Sequence, residues 1–278
     1  MKLDVEVASV ETVMLKLKTC IQRKLPFSLI RFGDGGLKLI YYFLVKEKLL
    51  LEEIGAKEGI PLDKFPEVLR EWARGANAAD FIDTPAVYFN KSFWPRVRKS
   101  ITPIKPETAK LLLLWYELYC AIGIRNESYC NPEVNFLSCL RELGDNSLPS
   151  VISKLKTLLC ITTYDRNALS AKFGFLELDA ITVPLQYQNH YKIFNETMEQ
   201  IRKRASCDLC LVAAGELGRI YTSEIKRVGG RAFDIGSLVD YWMTGDIPVR
   251  LQPFIQRDTD LFVKFTPLGR TYASVLRG

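Results

Sequence analysis

From Thr157 to Asp234 the chain alternates between short apolar runs and longer amphipathic segments, and no other feature constrains its fold as much. The apolar runs are Thr157–Thr162, Asp179–Pro184, Asp208–Ala214 and Arg231–Asp234, and between them lie Asn167–Phe173, Tyr191–Arg204 and Leu217–Val228. Continuous apolar runs of strand length belong to strands buried on both faces. Strands alternating with helices of about 10–15 residues imply parallel βαβ units. This half therefore reads as a Rossmann-like nucleotide-binding arrangement, an α/β fold with helices on both faces of a parallel sheet.

The first half is less regular. Residues 7–24 read as an amphipathic helix with Val10, Val13, Met14, Leu17 and Ile21 on one side and Lys16, Lys18 and Arg23 on the other. Pro26 ends it, and the strand Phe27–Phe32 follows. Leu37–Leu51 and Pro66–Ala79 carry helical patterns, Pro66 suiting a first helical turn. A short strand is expected over Ala86–Phe89, and Glu107–Leu143 reads as a mostly helical middle insertion. Asp145–Pro149 is the candidate break, dividing the chain into 1–145 and 146–278 or marking a loop within one continuous domain.

A chain of 278 residues with 48% hydrophobic and 25% charged content can bury a sizeable core. Its formal charge of +6 suits an anionic partner such as a nucleotide diphosphate or an acidic lipid surface. The basic residues are scattered, with runs only at Arg96–Lys99 and Arg202–Arg204, which does not make a nucleic-acid patch. The amino terminus carries Asp4, Glu6 and Glu11 and no apolar stretch of signal-peptide length, and no run approaches the roughly 18 apolar residues of a membrane span. Seven cysteines, an odd number and mostly in apolar surroundings, argue for reduced thiols and a cytoplasmic protein. Cys207 and Cys210 form a lone CxxC inside a strand-like run, weak support for zinc or redox use.

Chemistry is expected where strands end. Phe27–Phe32 breaks into Gly33-Asp34-Gly35-Gly36, which presents one carboxylate between glycines that permit a close ligand. A tight turn with Asp34 capping the following helix is the alternative. Leu209–Ala214 turns through Gly215-Glu216-Leu217-Gly218 into a helix, whose free amides favour an anion, a purely structural βα turn being the equal alternative. Asp234-Ile235-Gly236-Ser237 ends the next strand, with Asp240 one turn on. A carboxylate about 20 residues after a glycine turn suits a ribose, although Asp234 or Ser237 could equally cap a helix. Thr162–Asn167 lies at another strand exit, where Arg166 could pair with a diphosphate and Tyr164 could stack on a base, or either could be an exposed loop residue. His190, the one histidine, follows a further strand exit and is a candidate for acceptor activation, with a surface or hydrogen-bonded structural role as the alternative. No HExxH, GxSxG or GxxxxGK[ST] pattern is present, which removes the usual supports for zincin, serine hydrolase and P-loop chemistry.

Together, Arg31-Phe32-Gly33-Asp34-Gly35 and the stretch from Ala213-Ala214-Gly215 through Gly229-Gly230 to Asp234-Ile235-Gly236-Ser237 and Asp240-Tyr241-Trp242 resemble the bacterial glycosyltransferases of the GT-D fold. The hallmark of that family is a strand reading close to Arg-Phe-Gly-Asp-Gly-Glu, and Gly36 stands here in place of the final Glu. The resemblance implies transfer of a sugar from a nucleotide diphosphate, commonly a UDP-sugar, to a glycan or lipid-linked acceptor in polysaccharide biosynthesis, assisted by Mn²⁺ or Mg²⁺. It carries Asp34 over as metal ligand or catalytic base. Three accounts of Gly36 are open: Glu216 or Asp240 replaces the ligand, Arg31 or Arg166 stabilises the diphosphate instead, or catalysis is lost. The implied site has Asp34 and His190 as catalytic candidates. Its substrate contacts are Arg31, Gly33, Gly35, Tyr164, Arg166, Gly215, Glu216, Gly218, Asp234, Gly236, Ser237 and Asp240. The basic, proline-broken segment 91–106 is a candidate contact with an anionic lipid-linked acceptor at a membrane surface. An S-adenosylmethionine-dependent methyltransferase and a non-catalytic nucleotide- or glycan-binding protein are the competing readings.

Overall fold

The computed structural model describes residues 7–32, 39–40, 43–44, 52, 59–83, 118–130, 134–139, 141–174 and 177–245. Its described strands are β1 (Val7–Ala8), β2 (Phe27–Ile30), β3 (Phe81–Asp83), β4 (Tyr129–Cys130), β5 (Leu158–Thr162), β6 (Leu178–Thr182), β7 (Leu209–Val212) and β8 (Arg231–Asp234). They form one parallel sheet in the order β1-β4-β3-β2-β8-β7-β5-β6. The described helices are α1 (Val10–Arg23), α2 (Phe65–Ala78), α3 (Val134–Leu137), α4 (Leu148–Ile152), α5 (Arg166–Phe173), α6 (Phe194–Arg204), α7 (Gly218–Arg227) and α8 (Leu238–Thr244). The sheet continues across the 145–146 position, because β2 pairs with β8 through Phe27↔Arg231, Ser28↔Ala232 and Leu29↔Phe233.

Local sequence explains the elements. The Ser9 side chain caps α1 by accepting from the Thr12 amide at 3.3 Å, and Lys24 closes it in the left-handed conformation at φ 54°. Val10, Val13, Met14, Leu17 and Cys20 form its buried stripe, and Ile21, half-buried, packs against the same core as expected. Pro66 occupies the first turn of α2, where a missing N–H costs nothing. Asp165 caps α5 through the Ala168 amide at 2.8 Å, and Gly174 ends it at φ 66°.

Side chains along each central strand alternate between two cores. Leu159, Ile161, Cys210, Val212, Ile30 and Ala232 face α2, α6 and α7. Leu158, Cys160, Leu209, Leu211, Leu29 and Phe233 face α1, α3, α4, α5 and α8. This is the two-sided burial that continuous apolar strands require. The helices that lead the chain toward β3, β7 and β8 share one face, and those that lead it toward β2 and β6 share the other, as right-handed crossovers demand. Two expectations for the middle of the chain meet different outcomes. The strand β4 sits inside the segment read as mostly helical, and the strand expected at 86–89 lies outside the described residues. All seven cysteines are free thiols, with Cys207 Sγ 3.3 Å from Cys210 Sγ at the start of β7.

Candidate active site

The carboxyl ends of β2, β3, β5, β7 and β8 meet on one edge of the sheet. The chain leaves β5 toward β6 on one side and leaves β7 toward β8 on the other, so a crevice opens between Thr163 and Ala213. A cleft of about 180 Å³ occupies this place. Arg31, Gly215, Glu216, Asp234, Gly236, Ser237 and Asp240 line it together with Arg219. Two segments far apart in sequence therefore share one cavity.

Buried charges form its floor. Asp83, the last residue of β3, accepts from Arg31 Nε at 3.3 Å and from the Phe32 amide. Asp234, the last residue of β8, accepts from the Arg31 amide at 3.3 Å and from the Gly236 amide at 3.2 Å. Burial raises the Asp234 carboxyl to about 6, against the opposing pull of the Arg31 and Arg219 guanidiniums. Arg219, 4% exposed, donates through Nε to the Arg31 carbonyl at 2.6 Å and through Nη1 to the Glu216 carboxylate. Its guanidinium carbon lies 4.9 Å from the Phe32 ring centroid and 4.4 Å from that of Trp72, while Trp72 Nε1 donates to the Glu216 carbonyl at 3.2 Å. Burial alone would pull the Arg219 guanidinium down, and the Glu216 carboxylate reverses this and holds it raised.

Glycine makes the two turns of the cleft. Gly215 has φ +55° and opens the turn into α7. Gly236 has φ +46°, and a Cβ there would collide with Arg31 Nη1, so the bare backbone gives the guanidinium its place. Gly218 stands behind the cleft, where an added Cβ would sit 3.3 Å from Val212 Cγ1; it serves the contact of helix with strand. On the rim, Tyr164 donates to Asp240 Oδ1 at 3.3 Å, and partial burial raises the Asp240 carboxyl. Ser237 lines the cleft and makes no side-chain capping bond to α8.

Other expected site residues do not line the cleft. Arg166 begins α5 on the exposed surface and is not among the lining residues. His190 is buried, with Nε2 2.6 Å from the Pro184 carbonyl, and burial pushes its imidazole down toward the neutral form. It too is absent from the lining of the cleft. Gly33, Asp34, Gly35 and Gly36 lie outside the described residues, as do segment 91–106 and most of 37–51. Among the described residues no three His, Cys, Asp or Glu side chains gather as a metal-binding group, and no helix is long and apolar enough to cross a membrane.

Sequence reading missed Asp83 and Arg219. Both left a trace. Phe81-Ile82-Asp83 repeats the apolar-then-carboxylate ending of Ala232-Phe233-Asp234. Arg219 puts a cation in the first turn of a helix, against the helix dipole, a position that calls for a compensating anion nearby.

No protein-family model matches the chain, and no curated protein sequence matches it. Among solved structures it is similar to the highly conserved domain of unknown function 1792, described as having a distinct glycosyltransferase fold. That match has a TM-score of 0.52 and 15% identity, covering 87% of this chain and 83% of the other. A glycosyltransferase of the same 1792 type from Streptococcus sanguinis matches with a TM-score of 0.52 and 15% identity, covering 86% of each chain. At such identity the likeness establishes the fold: this chain is an α/β protein with the architecture of these glycosyltransferase-fold structures.

Proposed function

We propose that the chain is a glycosyltransferase that moves a sugar from a nucleotide diphosphate, a UDP-sugar, to a glycan or lipid-linked acceptor. One observation carries this reading: the end of β2, which leads into the Asp34 segment, and the turns after β7 and β8 converge on a single cleft at the carboxyl edge of the sheet. In this reading the Gly215–Leu217 turn takes the nucleotide and Asp234 with Ser237 faces the ribose. The Arg31 guanidinium, held by Asp83 at Nε, faces the diphosphate. During transfer an acceptor oxygen bonds to the anomeric carbon as the bond from that carbon to the β-phosphate oxygen breaks. The acceptor proton passes to the Asp34 carboxylate, and the electron pair leaves with UDP.

The oxygen donors of the cleft suit Mg²⁺ or Mn²⁺ by chemical type. Glu216 is committed to its ion pair with Arg219, whereas Asp240 makes a single 3.3 Å bond with Tyr164. Asp240 is therefore the described residue that would hold the cation, with Asp34 as a second ligand only in the alternative where it is not the base. When bound, a divalent cation neutralises charge on the departing diphosphate.

The test is a screen for hydrolysis of nucleotide-sugars, joined to thermal shift with UDP, GDP and S-adenosylmethionine, because a ligand of the folded state raises its stability. UDP is expected to stabilise, and Asp34→Asn is expected to fold normally and lose turnover by at least about tenfold, some 1.4 kcal/mol. Stabilisation by UDP without turnover of any donor would favour a nucleotide-binding protein without catalysis, the reading that Gly36 supports. Stabilisation by S-adenosylmethionine alone would point to methyl transfer, and no response to any nucleotide would end both enzyme readings.

A further inference from the structure

Arg219 has no place in the substrate contacts just described, yet it is the most committed side chain in the cleft. It is 4% exposed, lies against the Phe32 and Trp72 rings and is paired with Glu216. Its Nε bond runs to the carbonyl of Arg31, across 188 residues of sequence. Through that bond and the Glu216 pair it fastens the end of β2 to the turn that opens α7. The amide of the same Arg31 is fixed by Asp234 and its side chain by Asp83. The peptide groups around Arg31 are thus held from both sides, and its guanidinium emerges beside Gly236 into the cleft.

We infer that Arg219 is a positioning residue: it sets the Arg31 guanidinium against the anion-binding turn and acts on the diphosphate through Arg31. The inference rests on the transferase reading, since it requires a diphosphate in this cleft. A guanidinium is needed for the task, because its rigid fork serves the Arg31 carbonyl and the Glu216 carboxylate together, whereas an ammonium is a single point charge on a flexible stem. Lysine keeps the charge beside Glu216 and loses the two-way geometry.

A double-mutant cycle on UDP affinity, read by calorimetry beside uridine as a probe without phosphate, tests this. Arg31→Gln is expected to weaken UDP binding about tenfold, or 1.4 kcal/mol. Arg219→Lys, chosen because it leaves Glu216 with a cation, is expected to weaken UDP binding by a similar factor and to leave uridine binding unchanged. The double variant should lose no more than Arg31→Gln alone, the mark of two residues acting as one unit. Additive losses, an equal loss of uridine affinity, or unchanged UDP affinity in Arg219→Lys would each overturn the assignment. If Arg219→Lys does not fold, Arg219→Gln, whose amide can still reach the Glu216 carboxylate, enters the cycle in its place, under the same expectations. Failure of the wild-type protein to bind UDP would instead remove the transferase reading before any variant is compared.

Discussion

The floor of the cleft and its rim hold similar residue types in different surroundings. On the floor, Arg31, Asp83, Asp234, Arg219 and Glu216 are interlocked by side-chain and backbone bonds at the buried ends of three strands and one helix. On the rim, Tyr164 and Asp240 share one hydrogen bond at the protein surface, and Arg166 stands fully outside. A buried charge cannot fall back on water when it loses its partner, so the floor is rigid at the risk of being brittle. The rim can exchange its bond for one to solvent or to a ligand at little cost. Placement and adaptability are divided between the two.

This contrast can be broken most directly at Arg219. Arg219→Met strands Glu216 in a buried site and is expected to destabilise the protein by about 3–5 kcal/mol, measured by urea unfolding. A loss below about 1 kcal/mol would mean that the floor is as forgiving as the rim.

Asp234 gives the next largest effect. Its folded value of about 6 lies above the ordinary carboxylate value of 3.8, so the folded state binds the proton more tightly than the unfolded chain. The stability associated with this group is fully present below about pH 4 and is lost as pH rises through about 6, by a few kcal/mol at roughly 1.4 kcal/mol per pH unit. Asp234→Asn should remove that decline. The difference between variant and wild-type stability curves over this range isolates the group, and parallel curves would show that Asp234 does not titrate there.

Asp83→Asn is expected to cost about 2 kcal/mol in the same unfolding assay, since it weakens a charge-assisted bond to Arg31 while leaving an acceptor for the Phe32 amide. Tyr164→Phe on the rim should cost no more than about 1 kcal/mol and should raise the Asp240 carboxyl further by removing a donor that lowers it. An NMR titration of Asp240 reads that direction, and a fall would show that the Tyr164 hydroxyl does not donate to it.

How much of this was legible in sequence depended on strand length. β5 and β6 have five residues each and β7 and β8 four, long enough for apolar runs to stand out between helices, and Arg231–Asp234 was bounded as found. β1, β3 and β4 have two or three residues, too few to show a pattern, and they are strands because the neighbouring backbone pairs with them. Glycine turns revealed the cleft residues Gly215, Glu216, Asp234, Gly236 and Ser237. Asp83 and Arg219 were hidden because their roles depend on partners from distant segments. Arg166 and His190 show the reverse: both follow strand exits, yet one faces outward and the other hydrogen-bonds to the carbonyl of its own loop.

The position of β8 has a consequence for how the molecule is made. This late strand inserts between β2, near the start of the chain, and β7, its predecessor. A nascent chain on the ribosome must keep one edge of β2 bare until residues 231–234 have been translated, a delay on the order of ten seconds or more at usual elongation rates. During that wait the edge can pair with another polypeptide, a hazard that closes only when β8 arrives. Since Arg31 meets Asp234 through that same insertion, the cleft assembles only after β8 is made, and a product terminated before residue 231 would have the flanks of the cleft without its centre.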